Sequence, residues 1–171
     1  MQAVPSDVQA KSLALQMAAT GVVPAPGQSM TEAMALLAAA RNAAYAEAAR
    51  GRLGHGVHML LRALGTQPMS FDLQSDMAAL LLTAGEFAHA ASYARAALDL
   101  QPAHGPSLYA LGFALSGLGE AAEAMAVLRR LGRGRPRQSL REEAPELLPL
   151  VRAELTRLNR LSRQAAARTA K

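Results

Sequence analysis

The chain has 171 residues, half of them hydrophobic, with few aromatics and no Cys or Trp. That length suits one compact domain, the abundance of Ala and Leu favours close helix packing over bulky sheet cores, and the lack of Cys excludes disulfide frameworks, thiolate metal sites and a Cys nucleophile. The net charge of +5 is uneven: residues 129–171 hold 12 Lys/Arg against 4 Asp/Glu, whereas residues 1–128 hold 6 against 9, so the basic character belongs to the C-terminal segment alone.

In chain order, residues 7–19 are expected to form a helix. Val8 and Leu15 fall on one side of it and Leu13 and Met17 nearly opposite, so it has no single apolar stripe. Residues 21–27, with Pro24 and Pro26 between two glycines, read as a linker. Ser29 and Glu32 have the spacing of a capping box and open a long helix running to about Arg50.

From there the sequence repeats. Gly51, Gly85 and Gly119 stand 34 residues apart, and Pro68, Pro102 and Pro136 follow at the same interval. Between each Gly and Pro lies an apolar pattern with helical spacing: Leu53, Gly56, Leu60, Ala63 and Leu64; then Phe87, Ala90, Ala94, Ala97 and Leu98; then Ala121, Ala124, Leu128 and Leu131. Each Gly is expected in the turn of a helical hairpin, where the backbone takes positive φ. Gly56, Ala90 and Ala124 are expected where the paired helices cross, because a larger side chain would push them apart. Each Pro ends the second helix of its hairpin.

These residues resemble the tetratricopeptide repeat. Gly85-Glu86-Phe87 with Ala90, Ala94, Ala97-Leu98 and Pro102 matches the family's second-helix pattern, and Leu111-Gly112, Leu115, Gly119 and Ala124 match the first helix and turn of the next copy. The bulky aromatic that the family often places early in the first helix is replaced by Ala40, Gln74 and Leu108, and Met17 and Ala153 stand where further turn glycines would fall. The resemblance therefore implies three copies, 37–70, 71–104 and 105–138, within a repeat region 29–138. The fold class expected is an all-α, right-handed α-solenoid of three hairpins, with an N-terminal helix and linker over 1–28 and a basic capping helix and tail over 139–171.

The last copy is weakened by Leu131-Gly132. Beyond it, Pro145 and Pro149 bound the start of a closing helix whose Leu147, Val151, Leu155, Leu158 and Leu161 fall largely on one face. That face either caps the array or forms a homodimer seam. Arg129, Arg130, Arg133, Arg135, Arg137 and Arg141 form the strongest charge cluster. It is either a solvated segment paired with Glu142, Glu143 and Glu146, or a contact for nucleic acid or an acidic membrane surface.

No catalytic constellation is present, and no cofactor or metal is expected. His55 and His58 share helical spacing but have no acid or further His nearby, and His89 and His104 are isolated. The resemblance implies instead a non-enzymatic module or scaffold that holds a peptide or helix of another protein in a concave groove. By position, that groove presents Arg41, Asn42 and Tyr45, then Ser75, Ala79 and Leu82, then Tyr109, Phe113 and Ser116. Some members of the family grip a peptide's C-terminal carboxylate with basic and Asn side chains there. In this chain only Arg41 and Asn42 offer that, and Asp76 opposes it. An apolar, aromatic-anchored ligand is the better match, unless Tyr45, Tyr109 and Phe113 pack against the flanking helices. The length and helix order also resemble the small bacterial chaperones of type III translocator proteins. With no signal peptide or span of about 18 apolar residues, a soluble cytosolic protein is expected.

Overall fold

The computed structural model describes residues 7–169, so residues 1–6 of the N-terminal segment and 170–171 of the basic tail lie outside the described residues. Every regular element described is helical. The chain forms two compact units, residues 1–76 and 77–171, with the division inside helix α4 (Phe71–Thr83).

The first unit holds α1 (Asp7–Thr20), α2 (Met30–Ala49), α3 (Leu53–Thr66) and the first half of α4. The capping box opens α2: the Glu32 amide donates to Ser29 Oγ at 3.2 Å, and the Ser29 amide donates to Glu32 Oε2 at 2.8 Å. This satisfies amides that the first helical turn leaves without partners. Helices α2 and α3 pair as a hairpin whose buried residues include Leu37 and Ala44 from α2 and Gly56, Leu60 and Leu64 from α3. Helix α1 is exposed along residues 11–16, consistent with its lack of an apolar stripe.

Residues 21–27 are not a free linker. The Val23 amide donates to Gln67 Oε1 at 2.7 Å, and Gln67 Nε2 donates back to the Val23 carbonyl at 2.6 Å. Val22 is buried. A single glutamine thus satisfies both backbone groups of Val23 in the way a neighbouring strand would.

The second unit holds the rest of α4, α5 (Phe87–Leu100), α6 (Gly105–Gly117), α7 (Ala121–Arg130), α8 (Gly134–Glu143), a 3-10 turn (Pro145–Leu147) and α9 (Leu148–Thr169). Helix α6 is its centre and packs against α5, α7 and α8. Its Leu108, Ala110, Leu111, Gly112, Ala114 and Leu115 are all buried, and apolar residues around most of a helix are what burial from several sides requires. A Cβ at Gly112 would lie 2.6 Å from Leu128 Cγ, so the missing side chain is what lets α7 approach α6.

The turn glycines have φ of +80° at Gly51, +77° at Gly85 and +82° at Gly119. Each turn closes with the same two bonds: Gly85 N to Leu82 O with Glu86 N to Leu81 O, repeated in register at Gly51–Arg52 and Gly119–Glu120. This is the Schellman closure, which pairs carbonyls that the helix end would leave open. No neighbouring atom lies within 4 Å of a Cβ built on any of the three. Substitution by Ala should therefore cost only the left-handed backbone penalty, about 1 kcal/mol and similar at each site. Urea denaturation of the three single variants checks this, and a markedly larger loss at one turn would show packing that the backbone account lacks.

The third copy departs from the regular pattern. Helix α7 stops at Arg130, and Pro136 lies inside the first turn of α8 instead of behind α7. There its missing N–H costs no helical bond. The arginine-rich segment is thus helical, held by fully buried Leu140, by the Gly105 amide donating to Ser139 Oγ at 2.8 Å, and by Glu143 at 2.9 Å from His104. Helix α9 packs on α7. Val151 and Leu158 are buried and Leu147 and Leu155 half-buried, as their spacing suggests, but Leu161 and the residues to 168 are exposed.

Candidate partner-binding surface

In the first unit, α2 and the start of α4 bring Arg41, Tyr45, Asp72 and Asp76 together. Arg41 lies 3.3 Å from Asp72 Oδ1, and its Nε and second terminal nitrogen donate to Asp76. Tyr45 OH donates to the same carboxylate at 2.9 Å. Asp76 is buried, and this ring of donors compensates the desolvation of its charge.

The electrostatics follow from this packing. Burial works against the Arg41 charge, but the hydrogen bond and field of Asp76, with help from Asp72, more than offset it and raise its pKa. Burial and the Asp76 charge raise the Tyr45 hydroxyl well above the ordinary phenol range, so it stays a donor. Arg41 is therefore already occupied by carboxylates of its own chain. Asn42 is exposed and Ser75 buried.

In the second unit, Ala79 and Leu82 are half-buried on α4, four and seven residues after Ser75, so the three share a helix face. On α6, Tyr109 and Phe113 stack with centroids 4.3 Å apart and planes tilted by 32°. Both residues are half-buried. Burial, then the nearby Glu154, raises the Tyr109 pKa.

Ser116 is engaged from within the chain. Its hydroxyl donates to Glu154, and Arg157 donates to it at 2.7 Å, both partners lying on α9. Hydrogen bonds from Arg157, at 2.6 and 2.8 Å, and then from Ser116 lower the Glu154 pKa against the opposing effect of burial. Nothing in the local sequence pairs residues 116 and 154, and α9 was expected to cap the array or to form a homodimer seam. His104 was likewise read as isolated, yet it is buried and clasps Ser107 at 2.7 Å and Glu143 at 2.9 Å. Among the described residues no three His, Cys, Asp or Glu side chains form a group suited to a metal ion. No described helix is long and apolar enough to cross a membrane.

These hairpins, with their left-handed glycines and shared turn closure, coincide with a family match: residues 58–141 match the family described as Tetratricopeptide repeat. The chain carries tetratricopeptide repeats. The matched segment runs from within α3 through most of α8 and so includes the α4–α5 and α6–α7 hairpins. Solved structures agree on this fold. The tetratricopeptide domain of Sgt2 from Aspergillus fumigatus is 18% identical, with 75% of this chain and 80% of that one covered, at a TM-score of 0.62. The first tetratricopeptide domain of Spaghetti (RPAP3), bound to the HSP90 peptide SRMEEVD, is 19% identical over 75% of this chain and 94% of that one, at 0.59. The TPR2AB domain of yeast Sti1, in complex with an HSP90 segment, is 15% identical over 91% and 57%, at 0.61. No curated protein sequence matches the chain.

Proposed function

We propose that this tetratricopeptide chain is a non-enzymatic protein-interaction module whose ligand is an apolar, aromatic-anchored peptide or helix. The observation that carries this reading is the half-buried Tyr109–Phe113 pair on α6, the first helix of the third hairpin, which keeps part of its aromatic surface accessible. Large rigid aromatics with exposed faces supply contact area at low entropic cost and are common anchors of protein interfaces. Relatives of the same fold hold peptides: the Spaghetti domain is bound to SRMEEVD. That peptide carries three acidic residues, and Arg41, the cation that the repeat register would offer to such groups, is held by Asp72 and Asp76. A carboxylate arriving there would meet two like charges.

The test uses fluorescence polarisation with two kinds of peptide. SRMEEVD is expected to show no saturable binding, whether its C-terminus is free or amidated. Peptides selected from a display library are expected to carry aromatic or aliphatic anchors and to bind without a free C-terminus. Tyr109→Ala and Phe113→Ala should each weaken a selected peptide about 10-fold or more, the range of interface anchors, with helicity by circular dichroism unchanged. Binding of SRMEEVD that disappears on amidation, or a selected peptide indifferent to both substitutions, would overturn the reading.

A further inference from the structure

The arginine cluster singled out in the sequence is not absorbed by the peptide surface. The corner between α7 and α8 encloses an open cavity of about 330 Å³ lined by Ala126, Arg129, Arg130, Arg133 and Pro136. Three of these five residues are arginines, and none is acidic. Arg129 donates to Asn159 Oδ1 at 3.2 Å, and Arg130 donates to the Pro102 carbonyl at 2.7 Å. Among the described residues no carboxylate forms an ion pair with Arg129, Arg130 or Arg133, although the same chain pairs Arg41, Arg50, Arg52 and Arg157. The bond to Asn159 also carries the charge further: Arg152 and Arg163 lie seven residues before and four after Asn159 on α9, on its side of the helix. Within α7 the one acidic residue is Glu123, one turn before Ala126.

Arginines that line one cavity with no carboxylate among them repel one another, and a multiply charged oxyanion would relieve that repulsion while accepting N–H bonds from their guanidinium groups. An open cavity of about 330 Å³ has room for one such group. The cluster contains no aromatic side chain on which a nucleobase could stack. We infer that the α7–α8 corner is a binding site for a phosphate monoester, recognised by its dianionic oxygens through Arg129, Arg130 and Arg133.

The experiment uses the full chain at low ionic strength in two arms: a titration with inorganic phosphate followed by amide NMR shifts, and co-sedimentation with phosphatidylcholine vesicles with and without phosphatidic acid. Saturable shifts confined to residues around 129–137 are expected with inorganic phosphate if the source is soluble. Sedimentation only with phosphatidic acid identifies a lipid head group. In either arm Arg133→Gln and Arg129→Gln should each weaken binding about 10-fold, while Arg95→Gln on α5, with the same loss of charge, should leave it unchanged. Circular dichroism establishes that each variant is folded. Absence of binding in both arms, or equal weakening by Arg95→Gln, overturns the assignment, the second by showing that only net charge is being read.

Discussion

Gly105→Ala is expected to be among the most damaging single-methyl additions in the second unit. A Cβ on Gly105 would stand 2.6 Å from both Cα and Cβ of Leu140. The obstacle is the α8 backbone and the root of a fully buried side chain, so no rotamer change relieves it. Moving α8 away would break the Gly105 amide bond to Ser139 and the His104–Glu143 contact together. Overpacking of this kind costs roughly 1–3 kcal/mol, and the attached hydrogen bonds place the expected loss toward the upper end. That corresponds to a fall in melting temperature of about 5–10 °C for a chain of this size. Calorimetry measures the fall, and hydrogen exchange should show α8 amides losing protection before those of α6. A variant as stable as the parent would mean that α8 does not hold this position.

The second large effect lies one hairpin layer away. Leu128→Ala removes a fully buried side chain from the α6–α7 contact and should cost about 2–5 kcal/mol, because the helices cannot close completely over the space left behind. Gly112→Ala presses a methyl group onto that same leucine and should cost about 1–3 kcal/mol. Combined, the two should cost clearly less than their sum, since the new methyl enters the volume that the leucine vacates. Denaturation of the four proteins in a double-mutant cycle measures this coupling. Strict additivity would show that Gly112 and Leu128 do not meet.

The same contrast between local and remote causes explains what could be read in advance. The hairpin turns were legible because their reasons are local: a glycine with positive φ, two backbone bonds closing the helix end, and apolar residues three and four apart. The Ser29–Glu32 cap was legible for the same reason. Helix α8 was not, because its only buried residue is Leu140, set among five arginines or acids with Gln138 and Ser139, which leaves no periodicity to detect. Its stability comes from α6, where Gly105 makes room and Ser139 and Glu143 find partners.

The candidate surface divides in the same way. Tyr109 and Phe113, four apart on one helix, could be placed side by side from their spacing, and Asp76 could be recognised as hostile to a carboxylate. Their neighbours could not. The sequence does not indicate that Arg41 is held by both Asp72 and Asp76, that Gln67 pins Val23 from 44 residues away, or that Glu154 and Arg157 close on Ser116.

By itself the sequence determined the all-α class, the 34-residue repeat with its turn positions, and the concentration of arginine at one end. Tertiary structure alone decided which of the polar side chains are already spoken for: Arg41 by two aspartates, Ser116 by α9, His104 by α8, while among the described residues three arginines of the α7–α8 corner form no ion pair with a carboxylate. Backbone preferences and apolar periodicity act over a few residues and are written locally. The pairing of charges depends on which helices the packing brings together, and spacing along the chain does not encode that.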